Sequence, residues 1–212
     1  MNGLVISGGG SKGAFAGAVA EHLIKDTGKS YQLFVGTSTG SLLVPFLALG
    51  DIERIKEIYS NIRQEDIFKV SPFLFRKKSG TVHTQINHWG IIKQFLNKQK
   101  TLGNSENLRK LIKTKFTESD FERLKNSGKE VIVTVANLTS RKIEYKSSAD
   151  NSYHDFCDWA WASANFIPFM SLLNKNGQDY GDGGFGNLIP VQQAIEKGAS
   201  RIDVLVLKPE KI

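Results

Sequence analysis

Apolar positions along this chain follow two periods in alternation. Short, nearly continuous apolar runs at Leu4–Ser7, Gln32–Val35, Glu130–Ala136 and Ile202–Leu207 read as buried strands, the third β-branched and uncharged after its first residue. Helix-period stretches fall between them, at Gly13–Ile24 and Thr39–Leu49, and then behind Asp51, whose side chain suits an N-cap. That last helix carries Ile52, Ile55, Ile58 and Tyr59 on one face. Further helices are expected at 84–98, 105–115, Tyr153–Ala164 and Pro190–Lys197, the last with proline at its start and Gly198 as its stop. Lys142–Lys146 is the expected partner strand of Glu130–Ala136 across the turn Asn137–Arg141. Residues 66–82, with Pro72, Gly80 and Arg76-Lys77-Lys78, and the glycine-rich stretch 177–186 read as loops. Strands alternating with helices predict an α/β fold: three layers, α/β/α, around a mostly parallel sheet. Without repeat, low-complexity segment or linker, residues 1–212 read as a single domain.

Composition narrows the class. At 40% hydrophobic and 23% charged residues, the chain is not a disordered one. Its one cysteine, Cys157, excludes an internal disulfide framework and a Cys-rich zinc site. The formal net charge of +7 is unevenly spread: residues 69–130 hold 14 Lys+Arg against 5 Asp+Glu, leaving the remainder slightly acidic. Within that stretch, Phe73-Leu74-Phe75-Arg76-Lys77-Lys78 has the composition of an interfacial contact with anionic lipid headgroups. No nucleic-acid-binding motif accompanies the charge, and aromatics are not interleaved through residues 98–115, so no nucleic-acid partner is expected. Neither a secretory signal pattern nor an apolar run of about 20 residues is visible, and the expectation is a cytoplasmic protein with peripheral membrane contact.

Three glycine motifs carry the candidate chemistry. Gly8-Gly9-Gly10-Ser11-Lys12-Gly13 follows the first strand and opens the first helix. It satisfies the dinucleotide-binding spacing, but the second strand runs Leu33-Phe34-Val35 into Gly36 with no acid for a ribose hydroxyl, and no P-loop lysine follows. What survives is a set of backbone N–H groups, free of Cβ cover at a helix N-terminus, facing a phosphate or a transient oxyanion. Gly36-Thr37-Ser38-Thr39-Gly40 matches G-x-S-x-G in the strand-to-helix context that a nucleophile elbow requires. A serine needs a base, yet none of the four histidines, His22, His83, His88 and His154, lies after Asp182, where a Ser–acid–His order would put it. Asp182-Gly183-Gly184 offers a carboxylate instead. It is a weak base in water, and burial would raise its pKa toward a useful range.

These residues resemble the patatin-like phospholipase family, whose pattern is a glycine-rich oxyanion loop with a basic residue, then G-x-S-x-G, then D-G-[GA], in that order. Softer likenesses are Ala162-Ser163-Ala164-Asn165-Phe166-Ile167-Pro168 and Asn187-Leu188-Ile189-Pro190. The resemblance implies a Ser–Asp dyad of Ser38 and Asp182, an oxyanion hole from Gly8, Gly9, Gly10, Ser11, Lys12 and Gly13, and an elbow of Gly36, Thr37, Thr39 and Gly40. Gly183 and Gly184 would shape the aspartate loop, and Lys12 would lend positive potential or hold the oxyanion loop. It implies a lipid ester as substrate, phospholipid or lysophospholipid, with no cofactor and no metal. A protein activator or an oligomer is compatible with it. Residues 60–130 match no part of the family pattern, and the lid and acyl pocket are expected there. The alternative that the residues leave open is a non-catalytic phospho-ligand or nucleotide-binding domain built on the Gly8–Gly13 loop.

Overall fold

The computed structural model describes residues 1–78 and 80–208; residue 79 and residues 209–212 lie outside the described residues. Strands β1 (Asn2–Ile6), β2 (Leu33–Thr37), β5 (Glu130–Asn137) and β9 (Arg201–Leu205) form the parallel part of a seven-stranded sheet. They lie in the order β5-β2-β1-β9, with Leu4 opposite Phe34 and Asp203. Three strands make the rest antiparallel to their neighbours: β6 (Lys142–Ser147) on β5, β8 (Gln178–Asp182) on β5, and β7 (Leu173–Lys175) on β8.

The pairing of β5 decides the architecture of the site. β2 pairs with Glu130–Thr134 and β8 with Val135–Asn137, while β6 spans Ile132–Asn137 and so overlaps both. A strand has two edges, so β6 occupies one and β2 and β8 share the other. They run toward each other along it and meet with their C-terminal ends, Thr37 opposite Thr134 and Asp182 opposite Val135.

Alternation along the strands divides the core. Leu4, Ile6, Phe34, Val131, Val133 and Val135 face a thick layer built from α1 (Gly13–Glu21), α2 (Thr39–Leu49), α3 (Ile52–Asn61), α6 (Glu106–Lys115), α7 (Glu118–Asn126) and α8 (Tyr153–Ser163). Val5, Leu33, Val35 and Ile132 face the thin layer, α9 (Val191–Glu196), through Ala194. The layers are α/β/α as the alternating pattern predicts, but unequal. An aromatic cluster locks the thick side: Phe116, Phe121, Phe156 and Tyr153 meet at centroid distances of 5.6–6.4 Å.

Departures from the sequence expectation concentrate between residues 62 and 130. The segment 66–82 is not a loop. It begins in a short helix, α4 (Gln64–Ile67), and continues into the hairpin β3 (Phe73–Lys78) and β4 (Thr81–Ile86). Every described side chain of β4 is exposed, so cross-strand backbone pairing rather than a buried apolar face makes these strands, and hydrophobic periodicity does not mark them. The helix expected at 84–98 therefore starts later, as α5 (His88–Leu96), where the Asn87 side chain accepts the Gly90 N–H at 2.9 Å. Helix α7 was not anticipated, although Thr117 and Asp120 form a capping box at its start. The stretch 177–186 is not a continuous loop either: β8 occupies Gln178–Asp182, and the aspartate ends a strand.

The aromatic cluster sets the expected sensitivity of the core. Phe121→Ala should cost about 3–5 kcal/mol of unfolding free energy through the cavity it leaves, measured by urea denaturation. A variant as stable as the parent would show that the thick layer does not depend on this cluster.

Candidate active site

Between β2 and α2 the chain reverses within one residue. Ser38 takes φ 55° and ψ −123°, a left-handed conformation that side chains other than glycine seldom adopt. The flanking glycines permit the close approach. A Cβ on Gly36 would lie 2.5 Å from the carbonyl carbon of Gly40, and one on Gly40 would lie 2.3 Å from the carbonyl oxygen of Ile6. Ser163, at the end of α8, holds the elbow from outside it. Its hydroxyl accepts the Ser38 N–H at 3.0 Å and donates to the Thr134 carbonyl at 2.6 Å, with the Ser41 hydroxyl 2.7 Å away. The small-residue segment of the sequence contained Ser163, but nothing in its spacing announced this role.

The Ser38 hydroxyl donates to Asp182 Oδ2 at 2.6 Å. The other carboxylate oxygen accepts the Gly184 N–H at 2.7 Å, and the Asp182 N–H donates to the Asn165 carbonyl at 3.0 Å. Gly183 lets the chain turn directly over β5, since a Cβ there would stand 2.3 Å from the Thr134 carbonyl oxygen. Asp182 is 3% exposed, and burial pushes its carboxyl pKa above the ordinary 3.8, against the smaller lowering by the Ser38 and Gly184 hydrogen bonds. The four histidines are elsewhere: His22 pairs with Asp26, His154 packs on Tyr153, and His83 and His88 are exposed on β4 and α5.

The glycine-rich loop is only partly available to a ligand. The Gly8 N–H donates to the Leu188 carbonyl, that of Lys12 to Gly9 and that of Gly13 to Gly10. The N–H groups of Gly9, Gly10 and Ser11 are left without an acceptor among the described residues. Gly10 sits at φ 56° and its carbonyl accepts the Thr39 hydroxyl at 2.8 Å, which ties the loop to the elbow. Lys12 extends its ammonium to the Leu207 carbonyl at 3.0 Å and so anchors the loop to the chain beyond β9. Tyr59 approaches from α3: its hydroxyl lies 3.3 Å from that of Thr39, and only a glycine at 13 clears it, a Cβ there falling 2.1 Å from the phenolic oxygen.

Behind Ser38 opens a cavity of about 470 Å³, within the usual range of small-molecule sites. Its walls come from α2, α3, α6 and α8, among them Leu43, Phe46, Ile58, Leu111, Phe116 and Phe156. The region 60–130 supplies part of this wall through α6 and Ile62, Ile67 and Phe68; α8 and Met170 supply another part that the sequence did not suggest. Burial pushes the Cys157 thiol up to about 12 and raises the Tyr59 phenol, so both remain neutral linings. Lys115, the one charged residue of the described lining, pairs with Glu57 at 2.7 Å. Among the described residues no group of three or more His, Cys, Asp or Glu is placed to hold a metal ion.

Comparison with known proteins identifies the family and the fold. The family model "Patatin-like phospholipase" matches residues 4–195, a span that contains all three glycine motifs. No curated protein matches. Among solved structures, the crystal structure of VipD from Legionella pneumophila superposes with a TM-score of 0.54 at 21% identity, covering 86% of this chain. The chain spans 46% of the VipD chain, and the likeness is one of fold.

A raised native pKa at Asp182 means that the folded protein binds this proton more tightly than the unfolded chain. The associated stability is fully present below about pH 3.8 and is lost as pH rises through the native value. Asp182→Asn, which cannot ionise, should therefore gain in Tm over the parent as pH increases from 4 toward 7. Calorimetric scans across that interval measure the gap, and a gap that shrinks with pH would contradict the burial argument.

Proposed function

Because the chain belongs to the patatin-like phospholipase family, we propose that it is a serine hydrolase of lipid carboxylic esters, working through a Ser38–Asp182 dyad. The observation that carries this reading is the 2.6 Å hydrogen bond from a strained, half-buried serine to a buried carboxylate at the mouth of an apolar cavity. Ser38 Oγ attacks the ester carbonyl carbon while its proton passes to Asp182 Oδ2. The carbonyl oxygen becomes an oxyanion facing the N–H groups of Gly9, Gly10 and Ser11, each well-placed donor contributing on the order of 3 kcal/mol. Collapse of the tetrahedral intermediate expels the alcohol, which takes the proton from Asp182 and leaves an acyl-serine. Water then attacks this ester with Asp182 again as base, releasing the carboxylic acid and restoring Ser38. The N-terminus of α2, directly after the nucleophile, favours the negative charge that develops.

The cavity supports a substrate class. Its largely aliphatic and aromatic wall, whose one charged residue among those described is the paired Lys115, suits a fatty acyl chain, with the headgroup side of the ester toward the Gly9–Ser11 loop. That supports phospholipid or lysophospholipid as substrate. The competing reading, a phospho-ligand bound by the Gly8–Gly13 loop, is weakened by the same facts: half of the loop's N–H groups have protein acceptors, and the Lys12 ammonium is spent on a backbone carbonyl.

Ser38→Ala and Asp182→Asn should each lower fatty-acid release from phospholipid vesicles by at least roughly a thousandfold while the protein stays folded. Covalent labelling by a fluorophosphonate should be lost in Ser38→Ala. Undiminished hydrolysis in that variant would rule the mechanism out. The pH dependence has a defined sign: Asp182 must be ionised to act as base, so kcat/KM should rise with pH through a value displaced above the ordinary carboxylate range. An acid limb lying at or below pH 4 would mean that another group titrates.

A further inference from the structure

Residues 67–105 contain seven Lys+Arg and neither Asp nor Glu, so the formal excess of the whole chain, +7, resides in this one segment. It folds as an arm of the β3–β4 hairpin followed by α5, and its apolar side chains point the wrong way for a soluble protein. In α5 the polar Gln94 is the buried residue, 4% exposed and with its Nε2 unpartnered among the described residues. Trp89 is 81% exposed and Leu96 78%, with Ile92 and Phe95 also facing out. The hairpin does the same: Phe75, Val82 and Ile86 share one face with Lys77 by cross-strand register and are all exposed, while Arg76 and His83 lie opposite each other on the reverse face, beside the exposed Leu74. A helix that is inverted in amphipathicity beside an acid-free hairpin with exposed apolar and basic side chains has the character of an interaction surface.

This apolar surface is continuous with the active site. Phe73, at the base of the hairpin, packs on Phe169 at 5.2 Å; Phe169 stacks on Phe166 at 6.1 Å, and Phe166 on Phe185 at 5.4 Å with 8° between the rings. Phe166 and Phe185 are more than half exposed, and Phe185 stands three residues after Asp182. An aromatic ladder thus runs from the arm to the loop that carries the base.

We propose that the β3–β4/α5 arm is the surface by which this protein seats itself on an anionic lipid bilayer, Trp89, Leu96 and Phe75 entering the apolar boundary while Lys77, Lys93 and their basic neighbours meet the headgroups. The charge chooses the occupant: a second copy of the chain would bring the same uncompensated positive arm and repel it, whereas an anionic bilayer supplies both the counter-charge and the apolar phase. That the bilayer is also the source of the ester rests on the acyl-hydrolase reading; the binding itself does not.

The test uses the full chain carrying Ser38→Ala, so that hydrolysis cannot alter the vesicles. This protein should co-sediment with vesicles of phosphatidylcholine plus phosphatidylglycerol and not with phosphatidylcholine alone, and the binding should fall as salt is raised. Of the three tryptophans, Trp159 and Trp161 are buried, so a blue shift of emission on binding, absent in Trp89→Phe, reports entry of the exposed indole. The pairs Trp89→Ser with Leu96→Ser, and Lys77→Glu with Lys93→Glu, replace exposed side chains and should each weaken partitioning by at least roughly tenfold. Partitioning indifferent to both pairs would overturn the proposal. So would self-association that Trp89→Ser and Leu96→Ser abolish in a protein that ignores vesicles. Hydrolysis of a water-soluble short-chain ester by the Ser38 protein separates the two readings: vesicle binding without it defeats the hydrolase assignment and leaves the arm, whereas ester hydrolysis without binding does the reverse.

Discussion

The proposed Ser38–Asp182 dyad depends on two strands meeting head to head. β2 and β8 occupy the same edge of β5 from opposite directions, and where their backbone ladders end the chain delivers Ser38 from one side and Asp182 from the other. The 2.6 Å hydrogen bond between them is therefore positioned by sheet register rather than by flexible loops. Sheet pairing is rigid and cooperative, so the reacting groups are oriented before a substrate arrives, which is the condition under which proximity lowers a barrier most.

That arrangement has costs, and the surrounding residues show where they are absorbed. Ser38 is held at positive φ, and Ser163, Ser41 and the glycines at 36 and 40 surround it with hydrogen bonds and close backbone contacts that leave it no alternative. Asp182 is buried where its charge is disfavoured, with a raised pKa as the result. The same burial that weakens the fold at neutral pH makes the carboxylate a better base, so one physical term acts on stability and on chemistry in opposite senses. A lone carboxylate in water would gain little by taking a serine proton; desolvation narrows that gap without a histidine between them.

The fold also separates two kinds of apolar surface. One is concave, mostly apolar and interior, formed by α2, α3, α6 and α8 behind the serine. The other is convex, basic and external, on the hairpin and α5. The Phe73–Phe169–Phe166–Phe185 ladder runs from the second to the loop that carries Asp182. No helix of the described residues is long and apolar enough to cross a membrane.

How much of this was legible beforehand divides along a physical line. Local signals were readable: glycines where no Cβ fits, a serine in a strand-to-helix turn, β-branched runs that must be buried, caps such as Asp51, and the uneven charge. These settled the α/β class, most elements and the identities of Ser38 and Asp182 as a pair worth testing. Signals that depend on partners distant in the chain were not. The exposed hairpin carries no burial pattern because its strands are held by each other, and the inward turn of Gln94 inverts what its helix periodicity suggests. Ser163 and Tyr59 act across separations that no spacing rule encodes, and the Gly8 N–H is withdrawn from the oxyanion loop by Leu188, 180 residues away. Sequence by itself determined which groups are candidates for the chemistry, because side-chain type and backbone permissiveness are local properties. Only the tertiary structure decided that they meet, because the distance between Ser38 and Asp182 is set by which edge of β5 each strand occupies, and that choice is made by long-range pairing.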